Sequence, residues 1–240
     1  MAELSALRTT DAPHGGWQRA VVREVSHATP GTVVLRLEVE HRMPHLPGQR
    51  VVVRLTAPDG YQASRSYSIA SAPSDELVEL CVERVDDGEV STHLVDVVLP
   101  GDELELRGPV GGWFAWDGET PALAIGGGTG VVPLVSMLRH ARERALGERL
   151  CLVGAGRTLA SLPYADEIAH GCSVLALSQE TSPSGRPAGR LRREDLLPHL
   201  AGREVCFVCG SARFAEAAST LLVDLGVPAA RIRIERFGST

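Results

Sequence analysis

Lysine and asparagine are both missing from the 240 residues, and all 24 basic side chains are arginine. A Schiff-base lysine and a Walker lysine are therefore excluded, as are Asn-linked glycosylation and a Cys-His-Asn triad. GC-rich coding explains the bias, so no function is read from it. Long apolar runs are missing too. None approaches the roughly 20 residues that span a bilayer, and the opening MAELSALRTTDAPHGG holds no apolar h-region. Neither a membrane segment nor a signal peptide is expected, and the expected location is the cytoplasm.

Cysteine is sparse: Cys81, Cys151, Cys172, Cys206 and Cys209, five in all. An odd count in a cytosolic chain argues against a disulfide framework. Cys206 and Cys209 form a C-x-x-C, but they lie in an apolar run that reads as a strand. Residues three apart on a strand point to opposite faces, so the two sulfurs do not share a metal. A plant-type iron–sulfur spacing would need Cys at position 201, which is Ala201. No H-E-x-x-H or similar ligand spacing occurs, so no metal is expected.

What is present is an ordinary globular composition, 44% apolar and 22% charged, with a formal net charge of −6. That charge disfavours bulk nucleic-acid binding. It is unevenly placed. Residues 17–116 hold 9 Arg against 15 acids, and residues 117–240 hold 14 Arg against 13 acids. The second stretch carries Arg186, Arg190, Arg192 and Arg193, which fit either a solvated face or a phosphate-bearing ligand.

The pattern divides the chain into a tail (1–16), a strand-rich domain (17–116) and an α/β domain (117–240). In the first domain Val33, Leu35, Leu37 and Val39 alternate with polar residues. Further short strands are expected at 51–53, 77–82 and 103–107. Turns are expected at Pro47-Gly48, Asp59-Gly60, Asp86-Asp87-Gly88 and Pro100-Gly101. Such spacing predicts a small antiparallel β-barrel. One short helix interrupts it, with Ser91 as its N-cap. After Trp116-Asp117-Gly118 apolar strands at 123–125, 150–153, 174–177, 204–208 and 231–234 alternate with helices. That repetition predicts a doubly wound parallel sheet.

Two motifs carry chemistry. Ile125-Gly126-Gly127-Gly128-Thr129-Gly130-Val131-Val132-Pro133 runs from a strand through glycines into a helix. Glycines let a pyrophosphate reach bare backbone N–H groups, and a helix N-terminus favours an anion. The second motif is Arg65-Ser66-Tyr67-Ser68 on a strand of the barrel. Arg meets phosphate charge, Tyr stacks on a ring, and Ser bonds a heteroatom.

Pro47-Gly48-Gln49, Arg65-Ser66-Tyr67-Ser68, Gly88-x-x-Ser91-x-x-Leu94, the 126–133 run, Cys209-Gly210 and Glu235-Arg236-Phe237 occur in that order. Together they resemble the ferredoxin–NADP⁺ reductase superfamily, above all the stand-alone reductase components of bacterial oxygenases, over residues 17–238. The resemblance implies FAD rather than FMN in the first domain and a nicotinamide nucleotide in the second. It implies that Arg65 and Ser66 bind the flavin, that Tyr67 packs on the isoalloxazine and that Ser68 approaches N5. Val82 would line the site, and the 88–91 segment (Gly88, Val90, Ser91) would hold the pyrophosphate. Gly128, Thr129 and Gly130 would hold the nicotinamide nucleotide. Cys209 and Gly210 would lie by the nicotinamide, and Phe237 over the flavin face. Ser68, Cys209, Glu235 and Phe237 are the catalytic candidates.

The function implied is electron transfer from NAD(P)H through FAD to a separate one-electron acceptor, a ferredoxin or oxygenase component, by a monomer. No plant-type [2Fe–2S] spacing or globin segment accompanies the motifs. The alternatives are a free-flavin or quinone reductase and a flavin-binding regulatory subunit. NADPH is expected over NADH, because Arg157 follows the second strand of the α/β domain with no acid nearby until Asp166. The loop bearing Arg186 is expected to fold over it.

Overall fold

The computed structural model describes residues 16–170 and 173–237. The tail, apart from Gly16, and Cys172 lie outside the described residues. The N-terminal half builds one antiparallel sheet from β1 (Gln18–Thr29), β2 (Thr32–Val39), β3 (Arg50–Thr56), β4 (Gln62–Ser68), β5 (Val78–Glu83) and β6 (Glu103–Val110), in the order β4-β3-β6-β1-β2-β5. Its inner face buries Val22, Leu35, Leu37, Val53, Leu80 and Leu106. β1 lies between β6 and β2 and bends at a register shift between Val22 and Glu24.

The expected closed barrel is not formed. The edge strands β4 and β5 meet at a single bridge, Ile69 to Leu80, beyond the end of β4. Helix α1 (Glu89–Asp96) packs against both strands and fills the space between them, with Val90 and Leu94 joining the core. The sheet stays open because a helix, not a ladder, covers that side. Ser91 is not the N-cap: Gly88 is, and no side chain caps it. Ser91 sits inside the helix, where its hydroxyl donates to the Gly88 carbonyl and accepts from the Val85 N–H. A Cβ at Gly88 would strike that hydroxyl.

The C-terminal half is a five-stranded parallel sheet of β7 (Ala122–Gly127), β8 (Leu150–Gly156), β9 (Ser173–Leu177), β10 (Val205–Ser211) and β11 (Ile232–Phe237). Its order is β11-β10-β7-β8-β9. α2 (Val132–Glu143), α3 (Ala165–Ile168), α4 (Arg193–Leu196) and α5 (Ala212–Asp224) lie between the strands in sequence. Both faces are buried, which is why the strands are continuously apolar. Ala122 and Ala124 serve one core and Leu123 and Ile125 the other. Cys206 and Cys209 likewise fall in opposite cores. The chain reverses direction across the sheet between β7 and β10. Such a switch point leaves a crevice at the carboxyl ends of the strands.

The two halves are tightly joined. Phe114 and Trp116 pack into the C-terminal core, and the Trp116 N–H donates to the Pro47 carbonyl at 2.9 Å. Arg139 on α2 donates to Glu79 on β5 at 2.8 Å and to both oxygens of Glu167 at 2.9 and 2.6 Å. The Tyr164 hydroxyl donates to the same Glu79 oxygen at 2.8 Å. Among the described residues no helix is long and apolar enough to cross a membrane.

Candidate active site

The first set of expected residues lies on β4 and β5 and at the start of α1, which packs against both strands. Arg65 and Tyr67 are two apart on β4, so they share a face, and Ser66 and Ser68 share the other. The outer edge of β4 is unpaired beyond the single bridge, which leaves backbone N–H and C=O groups available. Arg65 is exposed, and its guanidinium bonds only to the Ser64 carbonyl at 2.8 Å. Tyr67 is half-buried and packs against the sheet core. Its hydroxyl is buried without a partner, and burial pushes it up to about 12, against the pull of Arg65. Gly88 and the start of α1 lie beside these strands. Val82 and Val90, however, are core side chains with 0% and 1% exposure, so they offer no side-chain contact.

Sequence reasoning missed Tyr61 and Glu89 beside these residues. The Tyr61 hydroxyl donates to the Glu89 carboxylate at 3.1 Å, at the first residue of α1. Burial plays little part there: the Glu89 bond raises the phenol, and Arg65 opposes it. The signal was available, since Tyr61 follows the Asp59-Gly60 turn directly.

The second set lies at the switch point. Gly128 has φ 58 and open space around it. Thr129 follows, and its hydroxyl donates to Glu83 at the end of β5 at 2.7 Å. Gly130 lies against β10, where a Cβ would fall on the Cys209 carbonyl. Gly128–Val131 forms a single 3-10 turn that leads into α2, with Pro133 in the first turn of that helix. Cys209 is fully covered. Burial pushes its thiol well up, and the Glu235 charge adds to this. A thiol so placed does not donate protons readily.

Glu235 is the partner of Cys209 across the β10–β11 ladder. One oxygen pairs with Arg50 on β3 at 2.9 Å, and the other is buried with no partner. Burial raises the carboxyl above its usual range, although Arg50 pulls it down. Phe237 is half-buried against the same core. The first set and the second set thus meet through two contacts between the halves, Thr129 to Glu83 and Glu235 to Arg50.

The outer end of the second set departs from expectation. Arg186 does not reach toward Arg157. Its guanidinium is spent on Asp195 at 2.6 and 2.7 Å and on the carbonyls of Pro187, Gly189 and Arg190. Five donors so engaged leave nothing for a phosphate. Arg157 itself is exposed and makes no side-chain bond or ion pair among the described residues. An acid does lie close: Glu180, after β9, accepts the Leu159 N–H at 2.5 Å. Sequence distance hid it, because the parallel pairing of β8 and β9 brings residue 180 beside residue 159.

Residues 20–114 match the family model described as an oxidoreductase FAD-binding domain. The ferredoxin–NAD(P)⁺ reductase component of naphthalene 1,2-dioxygenase/salicylate 5-hydroxylase systems from Ralstonia sp is 28% identical, over 91% of this chain and 68% of that protein. The ferredoxin reductase component of 3-ketosteroid-9-alpha-monooxygenase from Rhodococcus rhodochrous is 27% identical, over 97% of this chain and 69% of that protein. Among solved structures, the flavohem-like FAD/NAD binding domain of nitric oxide dioxygenase from Vibrio cholerae O1 biovar El Tor superposes with a TM-score of 0.83. It is 23% identical and covers 94% of this chain and all of that one, which establishes the shared fold.

Proposed function

We propose that this chain, whose residues 20–114 match the oxidoreductase FAD-binding domain model, oxidises NAD(P)H and passes the electrons to a separate redox protein. The observation that carries this reading is the abutment of two ready-made sites. The open edge of the flavin sheet lies against the switch point of the parallel sheet, tied by Thr129 to Glu83 at 2.7 Å and by Arg50 to Glu235 at 2.9 Å. Hydride transfer needs donor and acceptor in direct contact, and only such a junction provides it. Residues 17–116 would then be the flavin domain and residues 117–240 the dinucleotide domain.

The chain's own groups fit FAD. Tyr67 holds a buried hydroxyl without a partner, and the Arg65 guanidinium is tied only to the neighbouring Ser64 carbonyl. Arg65 would bind the diphosphate together with the N–H groups at the start of α1, while Tyr67 would pack on the ring and Ser66 and Ser68 would bond to its heteroatoms. Bound there, FAD supplies two-electron acceptance from a nicotinamide and one-electron release to a protein. Gly128, Thr129 and Gly130 would take the dinucleotide pyrophosphate on backbone N–H groups. Cys209 and Gly210 shape the nicotinamide wall as positioning residues. Glu235, held by Arg50, keeps one carboxylate oxygen for the reacting region, and Phe237 excludes water from it.

The electron acceptor is read as a ferredoxin or an oxygenase component, met by a monomer. The test is NAD(P)H-driven cytochrome c reduction by the FAD-loaded protein, with and without added ferredoxin. Strong stimulation by ferredoxin supports the reading. Faster turnover with free FMN than with any protein acceptor would point instead to a free-flavin reductase.

Donor choice rests on Arg157 and Glu180. A guanidinium favours a 2′-phosphate, and a carboxylate beside the ribose repels one. With Arg186 spent elsewhere, the two oppose each other nearly one to one. Both dinucleotides are therefore expected to work, with kcat/KM values within about tenfold of each other. Glu180→Ala should shift the ratio toward NADPH and Arg157→Ala toward NADH. Equal losses for both nucleotides in either variant would remove these residues from selectivity.

A further inference from the structure

Glu83 ends β5 as an exposed carboxylate, and no ion pair neutralises it among the described residues. The neighbouring Arg84 is taken by Asp86 and Asp96 at 3.0 and 3.1 Å. Glu83 instead accepts a hydrogen bond from Thr129 at 2.7 Å, across the junction between the halves. Thr129 stands at the centre of the turn that leads into α2. Gly128 before it is in open space, and Gly130 behind it is pressed against β10. An uncompensated negative charge therefore lies at a turn built to receive an anion.

We propose that Glu83 gates the dinucleotide site: its bond to Thr129 holds the mouth of the turn closed, and an entering pyrophosphate has to displace it. This rests on the reading that the turn at Gly128–Val131 takes the dinucleotide. A carboxylate and a pyrophosphate cannot both sit at one hydroxyl without strong repulsion, because like charges a few ångströms apart near a protein surface oppose each other by several times thermal energy. Glu83 has water to swing into, so it yields rather than blocks. Yielding costs the Thr129 bond, and the residual repulsion weakens the reduced and oxidised nucleotides alike. Weak retention of the oxidised product is the benefit, since the gate closes behind it.

The test is binding of NADP⁺ and NAD⁺ to the FAD-loaded protein, followed by the flavin difference spectrum at low and at high salt. Glu83→Gln keeps the size and hydrogen-bonding capacity and removes the charge, while Glu83→Ala removes both. Both variants should bind either nucleotide about five- to tenfold more tightly at low salt, with the gain shrinking toward onefold at about 0.3 M salt as screening takes over. In steady state KM should fall while kcat holds or drops. Unchanged or weaker binding by both variants overturns the gate and leaves the dinucleotide reading standing. A wild-type protein that retains FAD but binds neither nucleotide overturns both.

Discussion

A buried hydroxyl without a partner costs a protein about 1–3 kcal/mol, and Tyr67 carries such a group on the open edge of its sheet. A ligand-binding residue regains that cost on binding. Tyr67→Phe is therefore expected to leave the FAD-free protein as stable as the wild type or more so, while FAD affinity falls several-fold. Thermal melts with and without FAD check both halves, and a destabilised FAD-free variant would show that the hydroxyl has a structural partner. Arg65→Ala should cut FAD affinity by about 2 kcal/mol or more if the diphosphate is desolvated there. Its guanidinium is tied only to a neighbouring carbonyl, so stability without FAD should scarcely change.

Elements show how far the sequence could be read. The five parallel strands were legible because two buried faces leave an unbroken apolar run. The β4 motif and the glycine turn were legible because each is contiguous. β1 was not resolved as an element: its inward residues Ala20 and Val22 are followed by a bulge that breaks the alternation. The barrel was overcalled because short strands at regular spacing do not reveal whether the edges meet, and α1 decides that here. Ser91 was misread because a serine near a helix start fits the cap or the third turn position equally well. The loop after β9 was misread in another way. Arg186 looked like a phosphate reader, but its partner Asp195 sits nine residues on, at the start of α4. Burial pushes the Asp195 carboxyl up, and Arg186 with the Arg192 N–H outweighs this and holds it below its usual range. A lowered folded-state value means stability present above the ordinary carboxylate range and lost as pH falls through the lowered value. Asp195→Asn should cost about 3 kcal/mol near neutral pH, as removal of one partner of a buried pair does. It should also flatten the acid limb of the stability curve, and an unchanged limb would mean that another carboxylate sets it.

At the scale of the whole molecule, two groups of contacts join the halves. Glu79, Arg139, Glu167 and Tyr164 form the lock, with Glu79 buried and its three partners half-buried. Thr129–Glu83 and Arg50–Glu235 join the halves elsewhere. Arg139→Met should leave Glu79 with only the longer contact to Arg36 at 3.8 Å and split one cooperative thermal transition into two, one for each half. Calorimetry would contradict the lock if the variant kept a single transition at the wild-type temperature. A rigid junction is what lets a flavin on one sheet and a nicotinamide on the other meet without a large motion. The measurement that tests this most directly is an anaerobic titration of the FAD-loaded protein with NADPH and with NADH, followed by the visible flavin absorbance. The account predicts a yellow protein bleached by about one equivalent of either nucleotide, its colour returning when an oxidised one-electron protein acceptor is added. A protein that stays colourless after incubation with FAD, or a yellow one that neither nucleotide bleaches, would contradict it.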